Sequence, residues 1–296
     1  MGEARTGLLK FGLVGPALVL LIALNVFPLL YNVALSFTAS GMTDSGGFAG
    51  TRNYAAVFSE PKFAAALRTT AVFVAAAVSA ELLLGFGLAL ALRGRIAGNA
   101  PPPSAFLLTC LLVPMMLSPA VMGLYWNLVL NGHYGVLNQV LAFAGLGQPQ
   151  WLTDPRLKLV SVLIIDIWMW TPFMMLIALA GLNSIPRYIY EAAEIDRAGA
   201  WCVFRRITLP MCAPLLVLAV LLRTTDALKQ FDLVMAITGP DDAATQTLSA
   251  LLYRTIFRGD NVGLGSAYAC VVLVIVIALA SVFTRCIGHI QKKHGR

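Results

Sequence analysis

The chain has 296 residues, 59% of them hydrophobic and only 12% charged, with a formal charge of +7. A soluble domain of this length carries about a quarter charged residues, so a water-soluble globule is excluded. The five cysteines form no CxxC pair and support neither a disulfide framework nor a metal site, and no basic-aromatic pattern points to nucleic acid.

Six apolar runs of membrane-spanning length follow in chain order, at about 12–36, 68–92, 105–130, 158–182, 212–236 and 264–287. Lipid offers backbone groups no partner, so continuous runs predict helices, and the alternating ten-residue strands of a membrane barrel are missing. The expected fold is all-α: one polytopic membrane domain over residues 1–296. The first run is too long for a signal-peptide core and no small-residue cleavage site follows it, so it is read as a retained helix. No internal repeat stands out, which disfavours a secondary transporter built from paired repeats.

An even number of spans puts both termini on one side. That side collects Arg5, Lys10, Arg93, Arg95, Arg187, Arg197, Arg205, Arg206, Arg285, Lys292, Lys293 and Arg296. The opposite loops hold Arg52, Lys62, Arg68, Arg156, Lys158, Arg254 and Arg258. The positive-inside bias therefore predicts cytoplasmic termini, and the net charge reflects topology.

Between the fourth and fifth runs, residues 183–211 contain EAAEIDRAGAWCVFRRITLP, the most polar long stretch of the chain. Pro186 can open a helix at its first turn. Arg187 with Glu191, and Glu194 with Arg197, are spaced to pair along it, while Tyr188, Ala192 and Ile195 share one face. Gly199 weakens the helix; Trp201, Phe204 and Thr208 begin a second face, and Pro210 and Pro214 mark re-entry into the membrane. The prediction is a helix–turn–helix at the membrane surface. Acids at mid-helix and the flat Ala192-Ala193 patch fit a protein partner better than lipid headgroups.

EAA at Glu191-Ala192-Ala193, followed at set spacing by Ile207-Thr208-Leu209-Pro210, resembles the cytoplasmic signature of the membrane subunits of binding-protein-dependent ABC importers. NYAAVFSEPKF, WLTDP, GLNSIP, FDLVMAITGP and VGLGSAYA are similar to the sugar branch, the maltose, glycerol-3-phosphate and trehalose type of permease. The resemblance implies the type I importer permease fold, with 183–211 forming a coupling helix that docks on an ATP-binding subunit. Glu191, Ala192, Ala193, Asp196, Arg197, Gly199, Ile207, Leu209 and Pro210 are then the coupling residues. The signature glycine falls on Arg197 and the nearest glycine is Gly199, so the break between the helices is expected two residues late.

Ionisable residues inside spans are costly and face a cavity or a partner. The fifth run carries Arg223, Asp226, Lys229 and Asp232, with Arg223 expected about halfway along it at 1.5 Å per residue. Arg223, Asp226 and Gln230 form one stripe, and Asp226–Lys229 and Lys229–Asp232 are spaced to pair. This set is either a self-neutralising lock between helices or a polar wall of a solute path. In the fourth run Asp166 and Trp170 lie one turn apart beside Trp168 and Thr171, and a carboxylate beside an aromatic face suits a sugar. Glu81 and Asn127 are weaker candidates for the solute path, each read first as an interhelical hydrogen-bonding group.

The resemblance implies a permease subunit importing a sugar or polyol, together with a homologous second permease subunit, two ATP-binding subunits and an extracytoplasmic substrate-binding protein. The setting would be the cytoplasmic membrane. No lysine follows a glycine, so a GxxxxGK[ST] phosphate loop is absent, and ATP and Mg belong to the partner; this chain is expected to bind no cofactor and catalyse no reaction. The alternatives are an importer of another solute class, or an ion-coupled transporter using Asp166, Asp226 and Lys229 as relays.

Overall fold

The computed structural model describes residues 14–44, 46–96 and 105–294. Arg5, Lys10, Arg296 and most of the loop expected at 93–104 lie outside these residues, as does Ser45. Among the described residues the only regular structure besides helix is one isolated bridge between Thr38 and Phe48. The helices are α1 (Val14–Leu35), α2 (Arg52–Ser59), α3 (Pro61–Ile96), α4 (Ala105–Met116), α5 (Pro119–Val129), α6 (Val136–Phe143) and α7 (Pro155–Asn183). They continue with α8 (Arg187–Ile195), α9 (Ala200–Ala227), α10 (Asp232–Ile237), α11 (Leu248–Phe257) and α12 (Val262–His294).

Five of these helices are long and apolar enough to cross a membrane, and α4 with α5, bent by 102°, forms either a broken sixth span or a re-entrant loop. The run at 105–130 is therefore not the single helix expected. Pro119 lacks the N–H that a continuing helix would use and biases Ser118 to extended backbone (φ −65°, ψ 135°). The fifth run is also redrawn: α9 begins well before 212, stops at Ala227, and α10 resumes at Asp232. Lys229 and Gln230 sit in the break, where short bonds from Lys229 N to Asp226 O (2.9 Å) and from Gln230 N to Ala227 O (3.1 Å) tighten and end the helix. Arg223 consequently lies one turn from a helix end rather than halfway along.

The chain forms two compact units. The first comprises residues up to Ala64 together with Leu252–Val274. There Asn53 donates to the carbonyls of Ser36 (2.9 Å) and Thr38 (2.7 Å), and Phe63 stacks on Tyr268 at 5.4 Å between centroids. The second unit comprises Ala65–Leu251 and the chain from Ile275. Its larger apolar core gathers Phe73, Ala77, Val162, Ile165, Met174, Ala219, Leu233 and Val234 from α3, α7, α9 and α10. A second cluster, Ala89, Leu92, Met175, Ala178, Leu182, Ile185, Cys212 and Leu216, packs the same bundle nearer α8.

Two glycines permit close helix contacts in this unit. A Cβ on Gly85 would stand 2.6 Å from Met174 Cβ, and one on Gly123 would stand 2.5 Å from Ala236 Cβ. These are distances real side chains do not adopt, so α3–α7 and α5–α10 meet backbone to side chain. Small residues at helix contacts are the usual device where lipid supplies no hydrophobic driving force.

Candidate functional site

Helix α8 is short, and its ends are closed by local chemistry. Pro186 precedes it in extended conformation (φ −61°, ψ 138°). At its C-terminus Arg197 takes the left-handed conformation (φ 53°). Arg197 N donates to Glu194 O (3.0 Å) and Ala198 N to Ala193 O (2.9 Å), the paired bonds of a Schellman turn. The break thus stays at the signature position. Gly199 has φ −63° and simply caps the next helix, contrary to the expected displacement. The backbone bonds dictate a left-handed residue at 197 whatever its side chain.

The face of α8 bearing Tyr188, Glu191, Ala192 and Ile195 is exposed, whereas Ala193 is buried and Ile189 packs on the second cluster. Asp196 and Arg197 are exposed at the turn. Among the described residues, neither Arg187–Glu191 nor Glu194–Arg197 closes as an ion pair. Beyond Gly199, α9 opens with Ala200–Val203 and widens into a π turn over Phe204–Thr208, where Leu209 N reaches back to Phe204 O. Pro210 accounts for the widening, since it cannot donate to the carbonyl of Arg206 and crowds it. Ile207, Leu209 and Pro210 are half-buried or exposed along this entry.

The ionisable residues of the spans converge in the second unit. Arg223 of α9 forks onto Glu81 of α3, with Nε to Oε2 at 2.9 Å and Nη2 to Oε1 at 3.0 Å. Nη2 also donates to Asp166 of α7, and Nη1 reaches Asp226 at 3.2 Å. Side-chain exposure is 1% for Arg223 and 0% for Glu81 and Asp166, against 52% for Asp226. Gln230 Nε2 donates to the other oxygen of Asp166 at 2.8 Å, and the guanidinium lies 4.9 Å over the Trp170 ring. Three carboxylates and the face of an indole therefore surround one guanidinium, while the amide holds one of those carboxylates, Asp166. Asp226–Lys229 and Lys229–Asp232 are not paired; Lys229 and Asp232 are exposed, and Asp232 opens α10. Glu81, read from sequence as an interhelical hydrogen bond, is the principal anionic partner of Arg223.

The remaining candidates lie elsewhere. Trp168 meets Trp126 edge to face at 5.5 Å and, with Thr171, Leu84, Leu88, Cys110 and Pro172, lines an apolar groove of about 400 Å³. The Thr171 hydroxyl donates to Ile167 O within its own helix at 2.6 Å, and Asn127 is half-buried on α5. Sequence reasoning missed Trp126, whose buried indole N–H lacks a partner. It also read Arg93 only as a topological charge and missed its contact with Tyr190, 97 residues away in the chain.

Residues 82–292 match the family described as binding-protein-dependent transport system inner membrane component. The trehalose/maltose transport system permease protein of Thermococcus litoralis is 35% identical, over 80% of this chain and 79% of that one. The trehalose transport system permease protein of Mycobacterium tuberculosis is 32% identical, over 97% and 90%. Among solved structures, a bacterial ABC transporter involved in the import of the acidic polysaccharide alginate superposes with a TM-score of 0.82 at 19% identity, covering 97% of this chain and 98% of that one. The all-α fold is that of an ABC importer permease, the chain crosses a membrane several times, and it belongs to the family of binding-protein-dependent transport system inner membrane components.

Proposed function

We propose that the chain is one of two homologous permease subunits of an ATP-driven importer for a sugar or polyol in the cytoplasmic membrane, with both termini cytoplasmic. It forms half of the solute path and docks through α8 on one of two ATP-binding subunits. An extracytoplasmic binding protein delivers the solute, and ATP and Mg reside on the partner, since this chain lacks a phosphate loop. Binding and hydrolysis of ATP move the coupling helices, and a central cavity faces each side in turn.

The observation that carries this reading is α8 itself. A nine-residue helix is set on the bundle by Ala193 and Ile189, ends in a Schellman turn, and presents Glu191 beside Tyr188, Ala192 and Ile195 with no covering from the described residues. The names of the relatives favour trehalose or maltose as first solutes to try. Within the path, Trp168, Trp170, Thr171 and Asn127 remain the residues suited to a sugar. Asp166, Arg223 and Asp226 act instead as a lock between α3, α7 and α9, because Arg223 is held by Glu81, Asp166 and Asp226, and both oxygens of Asp166 are taken by Arg223 and Gln230.

Reconstitution with the cognate ATP-binding and binding proteins in vesicles tests this. Trehalose or maltose uptake should require all components, and Glu191→Arg should cut it at least tenfold while the subunit still inserts, because like charge would replace a docking pair. Wild-type uptake by Glu191→Arg would exclude the docking role.

A further inference from the structure

Among the described residues, the helix taken to dock is tied to the bundle by the side-chain hydroxyl of Tyr190. Tyr190, next to Glu191, turns its ring away from the exposed face. Its hydroxyl accepts a hydrogen bond from Arg93 Nη1 at 2.7 Å and lies 3.1 Å from Thr208 Oγ1. The Arg93 guanidinium also stands 4.2 Å from the Tyr190 ring centroid. Arg93 belongs to the end of α3 and Thr208, which is buried, closes the π turn of α9. One side chain on α8 therefore touches both helices that contribute to the buried ion cluster together with α7.

We infer that Tyr190 is the positioning residue of the coupling step: the strut through which displacement of α8 reaches α3 and α9. The chain connections alone are poor levers. Ser184–Pro186 and Asp196–Gly199 are turns, which absorb a displacement by rotating φ and ψ. The apolar contacts of Ile189 and Ala193 resist separation but tolerate sliding. A phenol held by a charged donor and by a hydroxyl resists both, since each bond has a direction. The π turn adds to this, for it fixes where Thr208 stands at the point where α9 begins.

The inference rests on α8 being the docking helix. Its test uses the full complex in vesicles with radiolabelled trehalose, measuring ATP hydrolysed per sugar imported. Tyr190→Phe keeps the ring and its contact with the guanidinium and removes both hydroxyl bonds. Thr208→Val removes one. The expected result is normal assembly and basal hydrolysis, with ATP consumed per sugar rising about five- to tenfold in Tyr190→Phe, the lower end of typical coupling between sites, and less in Thr208→Val. If trehalose does not enter wild-type vesicles, the ratio of binding-protein-stimulated to basal hydrolysis is the measure instead. An unchanged ratio in Tyr190→Phe, with Glu191→Arg inactive, overturns the strut alone. An unchanged ratio in both variants overturns the docking role as well.

Discussion

At the residue scale, Arg197 stands where the signature has glycine and still adopts φ 53°. A side chain in this conformation costs about 1 kcal/mol relative to glycine. Arg197→Gly should therefore raise the thermal stability of the purified subunit slightly and leave transport intact. Gly199→Ala should be neutral, because its φ is ordinary and a Cβ there would meet no atom within 4 Å. Scanning calorimetry or a fluorescence melt of the two variants decides it; a destabilised Arg197→Gly would show that the arginine makes a contact worth more than its strain. The sequence located this turn by spacing but misjudged its centre, because the expectation followed the glycine. What sets the turn is the pair of backbone bonds to Ala193 and Glu194, and no single residue type announces them.

At the scale of helices, the charges of the fifth run were legible as an anomaly but not as a network. Spacing suggested partners three residues apart, whereas Arg223 bonds across 142 residues to Glu81 and across 57 to Asp166. Pairings that depend on how three helices pack cannot be read from the period of one. The same holds for the third and fifth runs, whose apolar composition continues through breaks that prolines and a polar Lys229-Gln230 pair impose. Removing the guanidinium should be severe: Arg223→Met leaves two buried carboxylates uncompensated, at a cost of about 3–5 kcal/mol. The amount of assembled complex recovered in detergent should fall sharply. Adding Glu81→Gln and Asp166→Asn to Arg223→Met should restore part of it, since the neutral set has no charge left to compensate. A triple variant no better than Arg223→Met would mean that the network specifies geometry beyond charge balance.

At the scale of the whole molecule, the fold class was the most legible feature, because a bilayer admits few solutions and six apolar runs already choose one. The proposed orientation rests on the distribution of arginine and lysine alone. In a background with the five native cysteines replaced, a cysteine at Phe48 or Ala243 should react in intact cells with a membrane-impermeant thiol reagent. A cysteine at Gly199 should react only after permeabilisation. Labelling at Gly199 from outside would invert the topology and remove α8 from the side where ATP is found.

The bend between α4 and α5 has a consequence for hydration. Helix α4 has 12 residues and so spans about 18 Å, well short of a hydrocarbon layer of about 30 Å. At its end the last carbonyls of one helix and the first amides of the next have no helical partners. Met116 and Leu117 there are exposed rather than packed within the chain. Acyl chains cannot satisfy such groups. At hydrocarbon depth such a corner requires water or another protein surface, not acyl chains, against its free backbone groups.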